Sequence, residues 1–382
     1  MLKFYISSAN PHCEINSYLL TYLERELKGI KGILETDTPD SADIIIIGTC
    51  VVDATNENIS RETLINLRKR YPNKRVYVAG CLSNFDPHFI KANKFDVFDK
   101  SKILAKCYRK NVERIPMVSL LNRYCDEEIL RNENYFLSRR ENIFYINISE
   151  GCANACSYCA IKIAKGHIRS IPIESIIEQL EENKNLIAGN FICLLADDCG
   201  SFGIDNKESF PEILIKIKKK ISCEYKLIIH YWFPLHFLNQ FKMIPAEIWK
   251  RIHYINIPLQ SCSDRILKLM NRNYSVSDVL DAINSIKKIN PNIKLETHII
   301  YGFPSETIDE FKESFHLVSV FDRIIFSCYS DRKGTRASHI KGKISENEKM
   351  RRTVLILKEQ EKYKQIRITE SDIFKKSLTR IK

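Results

Sequence analysis

Three cysteines fall within eight positions: Cys152, Cys156 and Cys159 are spaced C-x3-C-x2-C in the stretch EGCANACSYCAI, residues 150–161. A structural zinc site draws on four ligands, often as two C-x2-C pairs. Three closely spaced thiolates suit a cubane [4Fe–4S] cluster instead, which leaves one iron open to a substrate or cofactor. Three ordinary core cysteines are the weaker reading, because the loop also holds Gly151 and Ala153. Three more cysteines, Cys13, Cys50 and Cys81, lie 37 and 31 residues apart, each just after a stretch that reads as a strand.

The elements that must position these thiols follow from the hydrophobic pattern. Residues 2–6 (LKFYI), 43–47 (DIIII) and 75–80 (RVYVAG) read as strands, the second as a buried parallel strand by its continuous β-branched run. Residues 16–28 and 56–70 have helical periodicity, with Asn16 as the N-cap of the first. This β-α-β-α-β order predicts a small doubly wound domain with a parallel sheet. In such a sheet the loops at the carboxyl ends of strands gather at one edge. Cys13, Cys50 and Cys81 are therefore expected to converge in space.

The alternation restarts at residue 143. Strands are expected at 143–148, 191–196, 226–231, 254–259, 294–300 and 323–329, with helices at 174–186, 277–288 and 307–318 among them. That makes about six β/α units, enough for an open barrel and short of the eight of a closed one. The C-x3-C-x2-C loop follows the first of these strands, on the face where β/α barrels carry active sites. The expected division is α/β throughout: an N-terminal doubly wound domain at 1–110, a polar connector at 111–140, an open six-unit barrel at 141–340, and a charged, mostly helical tail at 341–382.

With 382 residues, the chain is long enough for two or three domains. The N-terminus lacks the order of a signal peptide, and no apolar run approaches the ~18 residues of a membrane span. A cytosolic protein without membrane contact is expected. In a reducing compartment, thirteen cysteines are not a disulfide framework; metal ligands and core residues account for them. A net charge of +12 suits an anionic partner such as RNA. It equally suits a general richness in Lys, Asn and Ile, since no single window is dense in Lys and Arg.

The cysteine loop resembles the signature of radical S-adenosylmethionine (SAM) enzymes, and further segments resemble the methylthiotransferases among them. These are KGHIRSIP (165–172), LLADDCGSFGID (194–205), IPLQSCSDRILKLMNRNY (257–274), IIYGFPSET (299–307) and CYSDRKGTRA (328–337). CEINSY, GTCVV and AGCLS resemble the three ligand loops of that family's N-terminal domain. The resemblance spans roughly residues 1–365. It implies two [4Fe–4S] clusters, one on Cys152, Cys156 and Cys159 that binds SAM, and an auxiliary one on Cys13, Cys50 and Cys81 that carries or donates sulfur. It implies that one SAM supplies a methyl group to the sulfur and another supplies a 5'-deoxyadenosyl radical, so that a C–H bond becomes C–SCH3. Tyr158 matches the aromatic position beside the adenine. Asp198, Gln260, Ser261, His298 and Gly302 match positions at strand ends where the family holds SAM. A solvated loop carboxylate for Asp198, a capped turn before a helix at 263–270 for Gln260 and Ser261, and a strand-end histidine for His298 are the structural alternatives.

Of the other seven cysteines, Cys193 and Cys328 are expected in the core. Cys107, Cys125 and Cys223 have no ligand spacing, and Cys199 and Cys262 lie on active-site loops. Three features depart from the family pattern. His298 stands where many relatives carry Asp. Residues 228–237 (IIHYWFPLHF) resemble the branch that modifies a ribosomal protein, with core packing as the alternative. The sequence ends near where relatives continue into a small β-barrel, the TRAM domain. The resemblance implies a macromolecular substrate, by family default a hypermodified adenosine beside a tRNA anticodon. The alternative is a polypeptide side chain, of a ribosomal protein or a ribosomally made peptide; a radical SAM enzyme without sulfur insertion ranks lower. An electron donor such as flavodoxin or ferredoxin, and a monomeric state, complete the expectation.

Overall fold

The computed structural model describes residues 1–10, 13–98 and 143–369. The expected connector at 111–140, together with Cys107 and Cys125, lies outside the described residues, as does the tail beyond 369. The chain divides into two compact units: Met1–Cys152 with Ala160–Ala196 and Lys219–Tyr225, and Ala153–Cys159 with Asp197–Lys218 and Lys226–Lys382.

The first unit contains a five-stranded parallel sheet. Its strands are β1 (Leu2–Ser8), β2 (Ile33–Glu35), β3 (Ile44–Thr49), β4 (Arg75–Gly80) and β5 (Asp96–Val97), in the spatial order β2-β1-β3-β4-β5. Strands β1, β3 and β4 are those the sequence pattern indicates. The central strand forms because Ile45, Ile46 and Ile47 alternate onto two faces that are both covered, so all three are buried. Each such side chain contributes about 1.5–3 kcal/mol of transfer free energy. Strands β2 and β5 were not expected from the pattern. They are edge pairings of three and two residues, too short to show a period.

Helix α1 (Glu14–Lys28) starts two residues ahead of the expected 16, with Cys13 at its N-cap position; Asn16 sits inside the first turn. Helix α2 (Ala54–Arg70) is capped by Asp53, whose side chain accepts from Asn56 N at 2.7 Å. Short helices α3 (Leu82–Phe85) and α4 (Pro87–Ala92) follow β4. The same unit holds β6 (Ile143–Asn147), β9 (Asn190–Leu195) paired parallel to it, and a small antiparallel pair, β7 (Ser149–Glu150) with β8 (Arg169–Ser170). Helices α5 (Ile161–Lys165), α6 (Ile173–Glu182) and α7 (Lys184–Ile187) lie between them in sequence.

After α8 (Phe210–Lys220), the second unit runs through strands β10 (Tyr225–Ile229), β11 (Ile252–Asn256), β12 (Lys294–Tyr301), β13 (Arg323–Cys328) and β14 (Ile366–Ile368), each parallel to the next. Between them come α9 (Pro234–Gln240), α10 (Ala246–Trp249), α11 (Asp264–Leu269), α12 (Val276–Ile289), α13 (Ile308–Glu313) and α14 (Glu346–Lys362). Six strands, β6 and β9 to β13, thus alternate with helices, the β/α series of the expected open barrel. The tail departs from its expected helical character. It is helical to Lys362 and then adds β14 to the free edge of β13. Three residues of a strand edge carry no pattern of their own; the partner strand supplies it. Among the described residues no helix is long and apolar enough to cross a membrane.

Candidate active site

In the first unit, the sheet order reverses between β1 and β3, the switch point at which doubly wound sheets open a crevice beyond their carboxyl ends. Cys13 follows β1, Cys50 follows β3 and Cys81 follows β4. Cys13 and Cys50 are near enough for a thiol–thiol hydrogen bond to act on both, and Cys81 is near enough for its charge to act on Cys50, although among the described residues no three such side chains are gathered closely enough to hold a single metal ion. The Cys50 hydrogen bond, opposed by burial and helped by the Lys165 charge and the Asn16 N–H, brings Cys13 down to about 7. The same hydrogen bond and burial push Cys50 up.

Backbone ties hold these loops. Cys81 N donates to Thr49 O at 2.9 Å, and Thr49 Oγ1 donates to Ala79 O at 2.7 Å. Gly80 makes that approach possible. Its φ is +93°, and a Cβ there would stand 2.2 Å from Thr49 O. The buried Ser60 hydroxyl accepts from Cys50 N at 3.0 Å and from Asn10 Nδ2 at 2.8 Å, linking the loops after β1 and β3. Asn16 Nδ2 is buried with no hydrogen-bond partner, beside Gly48 and three residues from Cys13.

The C-x3-C-x2-C loop leaves β7 through Gly151, whose φ of +80° lets the chain pass within 2.4 Å of His167 O, measured from where a Cβ would be. Cys152, Cys156 and Cys159 are half-buried. Within the second unit, Ser157 N and Oγ donate to Met270 O (2.9 Å) and Leu269 O (2.8 Å), carbonyls that the end of α11 leaves without helical partners. Ala337 N donates to Ser157 O at 2.8 Å, and Asn271 Nδ2 to Ala155 O at 2.8 Å.

The structure places Asp198 in a saturated network. Its Oδ1 accepts from Gly200 N (3.0 Å) and Phe233 N (2.9 Å); its Oδ2 accepts from Asn154 Nδ2 (2.8 Å), Ser201 Oγ (2.6 Å) and His236 Nδ1 (2.7 Å). Two carboxylate oxygens offer about four lone-pair sites, so these donors occupy the group. Burial alone would push its carboxyl up; His236 and the other donors hold it below the usual range. Ser201 Oγ in turn accepts from Ala153 N at 3.3 Å. Asp198 thereby grips two residues of the cysteine loop, Ala153 through Ser201 and Asn154 directly.

Gln260 and Ser261 follow β11 and Gly302 follows β12, whereas His298, expected at a strand end, lies inside β12. Gln260 follows β11 with φ +74°, its N donating to His298 O at 2.7 Å and its Oε1 buried without a partner. Ser261 Oγ accepts from Ser263 N at 3.1 Å, while Ser263, not Ser261, caps α11. Gly302, φ +75°, donates its N–H to Glu306 Oε2 at 2.7 Å. His298 Nε2 lies 2.9 Å from Asn256 Nδ2 and 3.1 Å from Glu296 Oε1. Tyr158 packs edge-on to Phe303 at 6.5 Å, and burial pushes its phenol well up, so it stays protonated.

Of the remaining cysteines, Cys193 and Cys199 are buried and Cys223, Cys262 and Cys328 half-buried. Burial pushes Cys199 up, and Cys262 up to about 12, so neither is a ready thiolate.

Sequence reasoning missed three residues here. Asn154 and His236 meet Asp198 across 44 and 38 positions; they lie in the quoted stretches 150–161 and 228–237, but nothing in those stretches pairs either with Asp198. Arg272 is buried, with Nη1 3.4 Å from Cys156 Sγ and 3.2 Å from Tyr158 Oη. Its one sequence signal is its place in the family-like stretch 257–274; the left-handed Asn271 before it, φ +57°, turns the chain back at the end of α11.

Residues 146–318 match the radical SAM superfamily, and residues 5–98 match uncharacterized protein family UPF0004. The ribosomal protein uS12 methylthiotransferase RimO of Thermosipho africanus is 30% identical over 94% of this chain and 83% of its own length. The threonylcarbamoyladenosine tRNA methylthiotransferase MtaB of Thermotoga maritima is 28% identical over 93% of this chain and 81% of its own. The tRNA-2-methylthio-N(6)-dimethylallyladenosine synthase of Thermodesulfovibrio yellowstonii is 29% identical, covering 87% and 78%. Among solved structures, the radical SAM methyltransferase TsrM of Kitasatospora setae superposes with a TM-score of 0.56 at 14% identity, over 88% of this chain and 77% of that one. That likeness bears on the fold. On the sequence relationship, over most of both chains, this chain belongs to the radical SAM methylthiotransferases, enzymes that use SAM.

Proposed function

We propose that this enzyme methylthiolates a hypermodified adenosine beside a tRNA anticodon, with two [4Fe–4S] clusters and SAM as cofactors. The observation that carries the reading is the pair of three-cysteine sets in one chain. One is gathered at the switch point of a parallel sheet, the other on a loop held by Asp198 and α11. Both sets fit an iron–sulfur cluster with one open iron. Among the described residues each offers three thiols, and in the first unit the buried Asn16 amide, three residues from Cys13, is a donor without a partner that a bound cluster could use.

When bound, the clusters and SAM supply the electron, the methyl group, the sulfur and the hydrogen-abstracting radical. The chain's own residues do the rest. Cys13, Cys50 and Cys81 would hold the auxiliary cluster, and Cys152, Cys156 and Cys159 the one that binds SAM. Asp198, through Asn154 and Ser201, fixes the second loop, and its saturation makes it an organiser of that loop more than a direct cofactor ligand. Gln260, with an unpartnered buried oxygen, is the strand-end position best placed to accept a hydrogen bond from SAM. Tyr158 supplies an apolar ring edge, Ser261 and Gly302 shape the remaining strand ends, and His298 stands on β12 beside them in sequence. An external donor such as flavodoxin or ferredoxin would deliver the electron.

The tRNA assignment rests on the +12 net charge and on the relatives whose names specify tRNA. The aromatic stretch at 228–237, which in sequence leans towards a ribosomal-protein substrate, is largely core. Trp232 and Phe237 are fully buried, and Trp232 packs on Phe210 at 4.9 Å and on Trp249 at 6.2 Å. Mass spectrometry of tRNA nucleosides from cells with and without the gene tests the reading. A methylthio-adenosine that vanishes with the gene is expected. An unchanged nucleoside profile together with a methylthio adduct lost from a protein or peptide would overturn it.

A further inference from the structure

Arg272 is 3% exposed. Its hydrogen bonds go to Tyr274 Oη (2.9 Å), Tyr158 Oη (3.2 Å), Pro258 O (2.5 Å) and Cys156 Sγ (3.4 Å), and its guanidinium lies 4.3 Å over the Phe233 ring. Among the described residues no carboxylate hydrogen-bonds to it or pairs with it. A guanidinium is always charged, and a buried charge without a counter-charge is costly. Another buried arginine of this unit shows the contrast. Arg352, equally enclosed, pairs with the carboxylate of Glu306.

The geometry leaves little freedom in where Arg272 points. Its N–H donates to Leu267 O at 2.8 Å, closing α11, while the neighbouring Asn271 and the Leu269 and Met270 carbonyls hold Ala155 and Ser157. The end of one helix thus grips the residues on both sides of Cys156 and sends a cation to that sulfur.

We propose that Arg272 is a positioning residue whose guanidinium is the built-in counter-charge of the Cys156 thiolate and its cluster, and that it raises the reduction potential of that cluster. The inference rests on the reading that Cys152, Cys156 and Cys159 hold the SAM cluster. A thiolate-ligated cluster is anionic and becomes more so on reduction. A fixed positive charge and an N–H donor at a ligand sulfur therefore favour the reduced form.

The test is an electron paramagnetic resonance redox titration of the full-length, iron-reconstituted enzyme, with the SAM cluster identified as the signal that changes when SAM is added. Arg272→Gln is expected to shift its reduction equilibrium at least tenfold towards the oxidised form, about 59 mV lower for one electron. Arg272→Lys, which keeps the charge, is expected to shift it less. An R272Q potential equal to that of the wild type overturns the role of Arg272 and leaves the cluster assignment standing. A wild-type enzyme with no SAM-sensitive signal overturns both. If R272Q folds but takes up no iron at this site, R272K decides: restored loading supports a requirement for charge, and continued failure overturns it.

Discussion

Cys13, Cys50 and Cys81 stand at the ends of three strands of one sheet, whereas Cys152, Cys156 and Cys159 share a single loop. The first set is brought together by topology. Strand order β2-β1-β3-β4-β5 puts the cysteine loops at one edge, and backbone contacts such as Cys81 N to Thr49 O fix their spacing. The second set is already close in sequence, and what it lacks is a fixed loop shape. Side chains from distant segments supply that: Asp198, Ser201, Asn271 and Arg272. Widely spaced ligands depend on the sheet, and clustered ligands depend on clamps.

The sharpest way to break this comparison is to remove one thiol from each set. Cys156→Ala should abolish 5'-deoxyadenosine formation, and Cys13→Ala should leave SAM cleavage in place while the methylthio product disappears. Iron and sulfide analysis should show one cluster lost from each variant. Sulfur insertion by the Cys13 variant at the wild-type rate would dissolve the distinction between the two sets.

The clamp is tested next. Asp198→Ala leaves its donors, among them the buried Gly200 and Phe233 N–H groups, without an acceptor and should cost about 3–5 kcal/mol. Denaturant unfolding at neutral pH would measure it. The carboxyl is held below its ordinary 3.8, so its contribution is present above that pH and is lost as pH falls through the lower folded value. The gap between wild type and variant should narrow only in that acid range; a gap that closes near neutrality would assign the effect to another group.

The sheet-dependent set has its own weak point in Gly80. An alanine there meets Thr49 backbone at 2.2 Å at a φ of +93°, and we expect a loss of roughly 2–3 kcal/mol with impaired loading of the auxiliary cluster. Gly189 provides the control. Its φ is +74° with nothing within 4 Å, so Gly189→Ala should cost only about 1 kcal/mol. Equal costs at the two glycines would show that close approach at Gly80 is unimportant.

The same contrast explains what could be read from the residues. Strands β1, β3 and β4 announce themselves through runs such as Ile44–Ile47, and the meeting of Cys13, Cys50 and Cys81 follows from those strands and a topology rule. The triplet loop was legible from spacing. Its clamps were not, because hydrogen-bond partners 44 to 116 residues apart leave no local period. Asp198 was read for its position after a strand, which is right. Its saturation by five donors depends on where Phe233, His236 and Asn154 arrive. Arg272 escaped because a charged residue beyond a helix ordinarily faces water, and only the turn at Asn271 brings it inward. Strands β2, β5 and β14 escaped because two or three residues take their conformation from a neighbour.

The smallest expected effect checks that clamping is specific to the loop. Arg265 and Glu310 form a two-pronged pair (2.9 and 2.6 Å) tying α11 to α13, away from any cysteine ligand. The Arg265 hydrogen bond is the main reason Glu310 drops to about 2. Because the Arg265 side chain is half exposed, solvent screens the pair, and Arg265→Ala should cost no more than about 1 kcal/mol at pH 7, less in high salt. The sign follows from the depressed carboxyl. The contribution is present above the ordinary 4.5 and fades as pH falls towards about 2. Iron content and SAM cleavage should be unchanged in this variant. If they fell as far as in Asp198→Ala, the loop would depend on the general packing of α11, and the distinction between a clamp and a scaffold would fail.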